Sequence, residues 1–156
     1  RQGRFEQIAK ADEIYSRPVS RFVANFMGEV NLFSVSTDDA GQVSWHDAQV
    51  EAAPGATSLG PHWQGALMVR PELIRFLGPH ETADFRVRGM LTEEYALGSR
   101  IQYSVELAGG MKVTVERPFE TRHTESVGSS VILGWERDAI HPIAEERIQE
   151  AGRGKA

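Results

Sequence analysis

The sequence predicts a mainly β domain, a small antiparallel barrel or sandwich, entered through a short helical connector. Three observations carry this reading. Apolar residues recur at helical spacing only before Gly28, where Phe22, Val23, Phe26 and Met27 stand at i, i+1, i+4 and i+5. After Gly28 the period falls to two, in about six or seven short runs punctuated by Gly, Pro, Asn and Asp. Finally, 156 residues, 40% of them hydrophobic, can enclose one core without a metal or disulfide staple, which suits a chain with no cysteine.

The elements follow in order. Asp12 is the expected N-cap of a first helix, with Ile14 and Tyr15 on its apolar face, and Pro18 ends it because proline lacks the amide donor. Ser20 caps a second short helix that stops at Gly28. Its stripe of Phe22, Val23, Phe26 and Met27 must pack against something. The simplest expectation is the chain's own core. The sharper one is a neighbouring domain. Residues 31–36 read as a strand, 38–41 as a turn (Asp-Asp-Ala-Gly) and 42–45 as the returning strand. Residues 50–61 are loop, and 66–69 form an apolar strand that stops at Arg70-Pro71-Glu72. Residues 83–90 alternate, with Phe85 and Val87 opposed to Arg86 and Arg88. The clearest hairpin spans 100–117, turning at Gly109-Gly110, with one apolar and one polar face. Gly128 opens a last strand over 131–135. Residues 142–151 are expected as a short helix anchored by Ile143 and Ile148, followed by a small, charged tail at 151–156.

The chemistry is sparse. Net charge −5 argues against a nucleic-acid backbone as the main partner. No apolar run approaches the roughly 20 residues of a membrane span. There is no phosphate-cradling G-x-x-x-x-G-K-[ST], no G-x-G-x-x-G and no G-x-S-x-G. The five histidines lack metal-ligand spacing. Glu93-Glu94, Asp38-Asp39 and Glu145-Glu146 read as solvated turns or helix faces. No catalytic, cofactor-binding or metal residue is therefore expected, and neither is a self-contained enzyme. Trp45, Trp63 and Trp135 suit a stacking platform for single-stranded nucleic acid, but the acidic balance favours core or rim packing. Arg70 and Glu72 read as a charged corner able to pair or cap locally, a surface pair worth ~0–1 kcal/mol. Arg86 and Arg88 project together from one strand face and form a candidate anion site.

The residues also carry a family resemblance. Gly3, Gln7, Ile8, Glu13-Ile14-Tyr15, Pro18, Phe22-Val23-Ala24, Phe26, Gly28 and Asn31 fall in the order G-x-x-x-Q-I…E-I-Y-x-x-P…F-V-A-x-F-x-G-x-x-N. This resembles the segment that leaves the nucleotide-binding domain of ABC importer ATPases, of the polyamine and ferric-iron type, and enters their C-terminal regulatory domain. Met68-Val69-Arg70-Pro71-Glu72, Glu94-Tyr95-Ala96-Leu97-Gly98-Ser99 and Gly128…Val131-Ile132-Leu133…Trp135 resemble successive elements of the TOBE domain in those ATPases. The departures are Ala9-Lys10-Ala11 where the family has Gly-Thr-Pro, and Gly128-Ser129 where it often has Gly-Asp.

The resemblance implies a small OB-like antiparallel barrel of TOBE type over 29–138. It implies an ATPase-domain end and helical connector over 1–28, and a C-terminal tail over 139–156. It implies that ATP and Mg belong to an upstream domain, with Arg1 as a cut edge. The implied partners are that domain, a second ATPase subunit in a homodimer and permease subunits, on the inner face of the bacterial cytoplasmic membrane. Phe22 and Phe26 would pack on the ATPase domain, and Arg70 and Glu72 would lie near the contact between regulatory domains. The alternative is a stand-alone oxyanion-binding module of TOBE type.

Overall fold

The computed structural model describes residues 3, 5 and 7–145. Two six-residue helices, α1 (Ala11–Ser16) and α2 (Arg21–Phe26), precede the strands. These are β1 (Asn31–Thr37), β2 (Val43–Trp45), β3 (Glu51–Ala52), β4 (Gln64–Val69), β5 (Arg75–Phe76), β6 (Phe85–Leu97), β7 (Arg100–Leu107), β8 (Lys112–Pro118), β9 (Ser130–Trp135) and β10 (Ile140–Ala144). No helix of the described residues is long and apolar enough to cross a membrane.

The fold is mainly β and antiparallel, as predicted, but the strands do not close into one barrel. They divide into two sheets, β10-β4-β1-β2 and β5-β9-β6-β7-β8, with β3 added to β6. One core joins them. Trp135 of β9 is fully buried and stacks on Phe33 of β1 at 5.2 Å and on Phe85 of β6 at 5.8 Å, with Trp45 packed edge-on to both phenylalanines. Trp135 and Trp45 thus pack with the core, as the acidic balance of the chain favoured.

A side chain ties one sheet to the other. Asn31 is buried at the start of β1, and its amide donates to Thr114 O and accepts from Thr114 N, both at 2.8 Å. Thr114 lies on β8, an edge strand whose outward backbone groups need partners. Asn31 therefore supplies the donor and acceptor that another strand would have supplied.

The first sheet is covered on both sides. Val69 of β4 faces the main core, and Met68 faces outward into a second cluster with Ala24 of α2 and Ile143 of β10. This explains why β4 reads as a continuous apolar run: a strand buried on both faces has no polar phase. It also corrects the C-terminal expectation. Residues 140–144 are strand, not helix. Pro142 tolerates the edge of a sheet, where its missing donor goes unneeded, and Ile143 fills the gap beside Ala24 and Met68. The remainder of that expected helix, including Ile148, lies outside the described residues. Gly65 lets β10 come this close, because a Cβ there would stand 2.2 Å from Ile143 O.

A second correction concerns β6, which runs seven residues past its expected end at Met90. A register shift between Leu91 and Glu93 breaks the alternation, so Glu93-Glu94 occupies a strand and not a turn. The turn comes at Gly98-Ser99, with Gly98 at φ +71°.

Candidate functional site

The site is built where the connector meets the end of β4. The residue before a proline avoids helical backbone angles, and Arg70, preceding Pro71, is extended at φ −72° and ψ 143°. This sends its side chain beneath the connector, where it is only 2% exposed. Helices leave their last carbonyls without partners, and six-residue helices leave most of theirs so. Arg70 collects these carbonyls. Nη2 donates to Tyr15 O at 2.9 Å, and Nη1 points at Glu29 O (3.0 Å), Ala24 O (3.3 Å) and Gly28 O (3.5 Å). The guanidinium also lies over the Tyr15 ring, 4.1 Å from its centroid. Nε alone has no acceptor.

Around this clasp the connector is fixed at further points. The Tyr15 hydroxyl donates to the Glu72 carboxylate. Burial, and after it the Glu72 carboxylate, pushes the Tyr15 hydroxyl up to about 12. His141 of β10 bonds through Nε2 to Pro18 O at 3.0 Å, and burial lowers its affinity for a proton. Gln7 bridges the α1–α2 link, donating to Arg17 O and accepting from Val19 N. Ser20 caps α2 as expected, accepting from Val23 N at 3.2 Å. Asp12 does not cap α1: the N-cap is Lys10, without a side-chain bond, and Asp12 O accepts from Ser16.

The apolar stripe of α2 divides differently from the expected core stripe. The buried face is Ser20, Val23 and Ala24, at i, i+3 and i+4. Phe22 and Phe26 face out, 43% and 79% exposed, with their rings stacked at 6.2 Å. Val19 and Ile8 are exposed on the same connector.

Of the sequence-predicted residues, Arg70 and Glu72 are thus brought together, but not as a surface ion pair. Tyr15 sits between them, and Arg70 is buried among carbonyls. Arg86 and Arg88 lie on β6, away from the clasp, beside a groove near β3. Tyr15 and His141 were missed as site residues. Tyr15 lies inside the Glu13-Ile14-Tyr15 motif, so a signal existed, but His141 had none.

The TOBE domain family matches residues 67–143, a span that includes Arg70, Glu72, Arg86 and Arg88. The spermidine/putrescine import ATP-binding protein PotA of Pseudomonas fluorescens is 34% identical over 142 residues, covering 87% of this chain and 38% of that protein. The protein of the same name from Nitrosomonas europaea is 32% identical, covering 88% and 41%. An uncharacterized ABC transporter ATP-binding protein of Escherichia coli, YdcT, is 29% identical over 93% of this chain. The chain spans about two fifths of the length of these relatives. Among solved structures, the cytoplasmic molybdate-binding protein ModG shares the fold, with a TM-score of 0.57 at 12% identity, over 75% of this chain and 96% of that one. The matched span contains the Arg70-Pro71-Glu72 corner, and the chain belongs to the TOBE domain family.

Proposed function

We propose that this chain is the regulatory and dimerisation region of the ATP-binding subunit of an ABC importer for a polyamine or similar solute. In this reading ATP and Mg bind an upstream domain of the subunit, at the inner face of the bacterial cytoplasmic membrane. The region itself performs no catalysis. It couples hydrolysis to transport by contacts with a second subunit, which bias the opening and closing of the attached ATPase domains. Such coupling is worth typically 1–3 kcal/mol between sites.

The observation that carries this reading is the Arg70 clasp. A coupling element must move with the body it reports on, and the clasp fastens both connector helices to β4 through four carbonyls. The exposed α2 face with Phe26 supports a partner surface for the ATPase domain. Relatives named as import ATP-binding proteins support the transporter class.

The test uses a full-length importer ATPase subunit carrying this region, assembled with its permease. Arg70→Ala and Phe26→Ser should leave basal ATP hydrolysis within about twofold while solute uptake per ATP falls several-fold. Uptake and regulated hydrolysis equal to the unmodified complex in both variants would refute the coupling role.

A further inference from the structure

Residues 119–128 connect β8 to β9, and every one of them except His123 is exposed. Among the described residues, three bonds tie this segment to the body. Phe119 N donates to Ser99 O (2.9 Å) at one end, and Gly128 N donates to Leu91 O (2.7 Å) at the other. Between them His123 N donates to the Tyr103 hydroxyl (2.8 Å). The His123 ring lies flat on Phe76 of β5, with centroids 3.9 Å apart and planes at 10°, and edge-on to Tyr103 of β7 at 6.2 Å. Phe76 is itself edge-on to Tyr103 at 5.1 Å, so the three rings form one group at the margin of the core.

This place suits a neutral imidazole. His123 Nε2 is buried and has no hydrogen-bond partner. A protonated ring carries a donor on both nitrogens, so Nε2 would need an acceptor that the site does not supply. The Glu125 carboxylate stands 3.9 Å away, beyond hydrogen-bond reach. The other charged and titratable groups around the rings are Arg122 of the same segment, Glu94 of β6, Tyr103 of β7 and Arg117 of β8, while Phe76 of β5 brings no charge. Burial lowers the affinity of His123 for a proton, and the Glu125 and Glu94 carboxylates oppose this only in part. Burial raises the Tyr103 hydroxyl, which stays neutral while His123 titrates.

We propose that residues 119–128 are a strap that His123 fastens at neutral pH and releases on taking up a proton. With the ring in water, both of its nitrogens donate to solvent. The open strap therefore holds the proton more tightly than the closed one. Closure is complete above the ordinary histidine value of 6.5 and weakens as pH falls below it. Release uncovers the Phe76 ring and the Tyr103 hydroxyl. The strap does not rest on the transporter reading.

Amide exchange of the 156-residue chain, expressed as protection against the intrinsic rate at each pH, is followed from about pH 7.5 to about 5.5. Protection at His123 and Gly128 should fall at least about threefold, while amides of β9 keep theirs. The His123 imidazole, followed by NMR, should titrate below 6.5. His123→Phe keeps a ring on Phe76 and loses no bond at Nε2, so its strap should hold equally across the range. Glu125→Gln, at an exposed position, removes a carboxylate that favours the charged ring and should deepen the fall. The proposal is overturned by strap protection that does not change with pH, by a His123 midpoint at or above 6.5, or by an equal fall in His123→Phe. A fall confined to the amides of α1 and α2 would trace to His141, whose ring bonds Pro18 O, and would overturn it as well.

Discussion

Arg70 and Arg86 both sit where a β-ladder stops, and both bury their Nε, yet they end in opposite states. Arg70 leaves β4 at Pro71 and meets a ring of carbonyls from the connector, so that only its Nε lacks a partner. Arg86 lies beside the gap between β3 and β7 and meets nothing, although its Nε is buried too. The two look alike in sequence: each is an arginine at a strand position next to apolar residues. What separates them is the segment that the tertiary fold brings opposite. A short helix ends with unbonded carbonyls and here turns them toward Arg70; the gap beside β3 brings no acceptor to Arg86 Nε. The first arrangement locks two parts of one chain together, and the second leaves a buried donor unmet.

Breaking the lock should give the largest effect. Arg70→Ala strips Tyr15 O, Glu29 O and Ala24 O of their donor and leaves a hole under the connector. Charge-assisted bonds and buried carbonyls together put the loss at roughly 3–4 kcal/mol. Hydrogen exchange should show amides of α1 and α2 losing protection while those of β7 and β9 keep theirs. Arg70→Lys should rescue little, because one ammonium cannot span from Tyr15 O to Glu29 O. Unchanged connector protection in Arg70→Ala would mean that Ala24 and His141 hold the connector without the clasp.

The next effect tests the other non-local tie, between the two sheets. Asn31→Ala removes both bonds to Thr114 and leaves its partly buried backbone donor and acceptor unpaired, at a cost of about 1–3 kcal/mol by chemical denaturation. Asn31→Asp keeps an acceptor for Thr114 N but sets a carboxylate against Thr114 O, so it should be no better than alanine. A loss under about 0.5 kcal/mol in either would show that β8 needs no such partner.

These sites also mark where sequence reasoning stops. Ser20 as the cap of α2, the Gly109-Gly110 turn and the alternation of β7 and β8 were legible, because each depends on neighbours a few residues away. Arg70 was legible as a corner but not as a clasp, since its acceptors lie 41 to 55 residues away. The stripe on α2 was misread because Ala24 is fully buried and the larger Phe26 is not. Size alone favoured the phenylalanine, and only the close approach of Met68 and Ile143 favours the alanine. The far half of β6 was lost at the shift between Leu91 and Glu93, which takes two acidic residues onto a strand. β10 was lost because five residues containing Pro142 carry too few alternations to reveal a strand edge.

The smallest effect separates the ring of Tyr15 from its hydroxyl. Tyr15→Phe keeps the aromatic face under Arg70 and deletes only the bond to Glu72, at a partly exposed position, so about 1 kcal/mol or less is expected. The pH dependence identifies the hydroxyl more sharply than the size. Folding raises the Tyr15 hydroxyl from 10.0 to about 12, so the folded chain holds that proton more tightly than the unfolded one. Its contribution is complete below pH 10 and disappears as pH climbs from 10 toward 12. Connector protection in the unmodified chain should therefore fall across that window more steeply than in Tyr15→Phe, and the two curves should converge near pH 12. Parallel curves would assign the alkaline loss to other groups and leave the Arg70 guanidinium as the part of the clasp that matters.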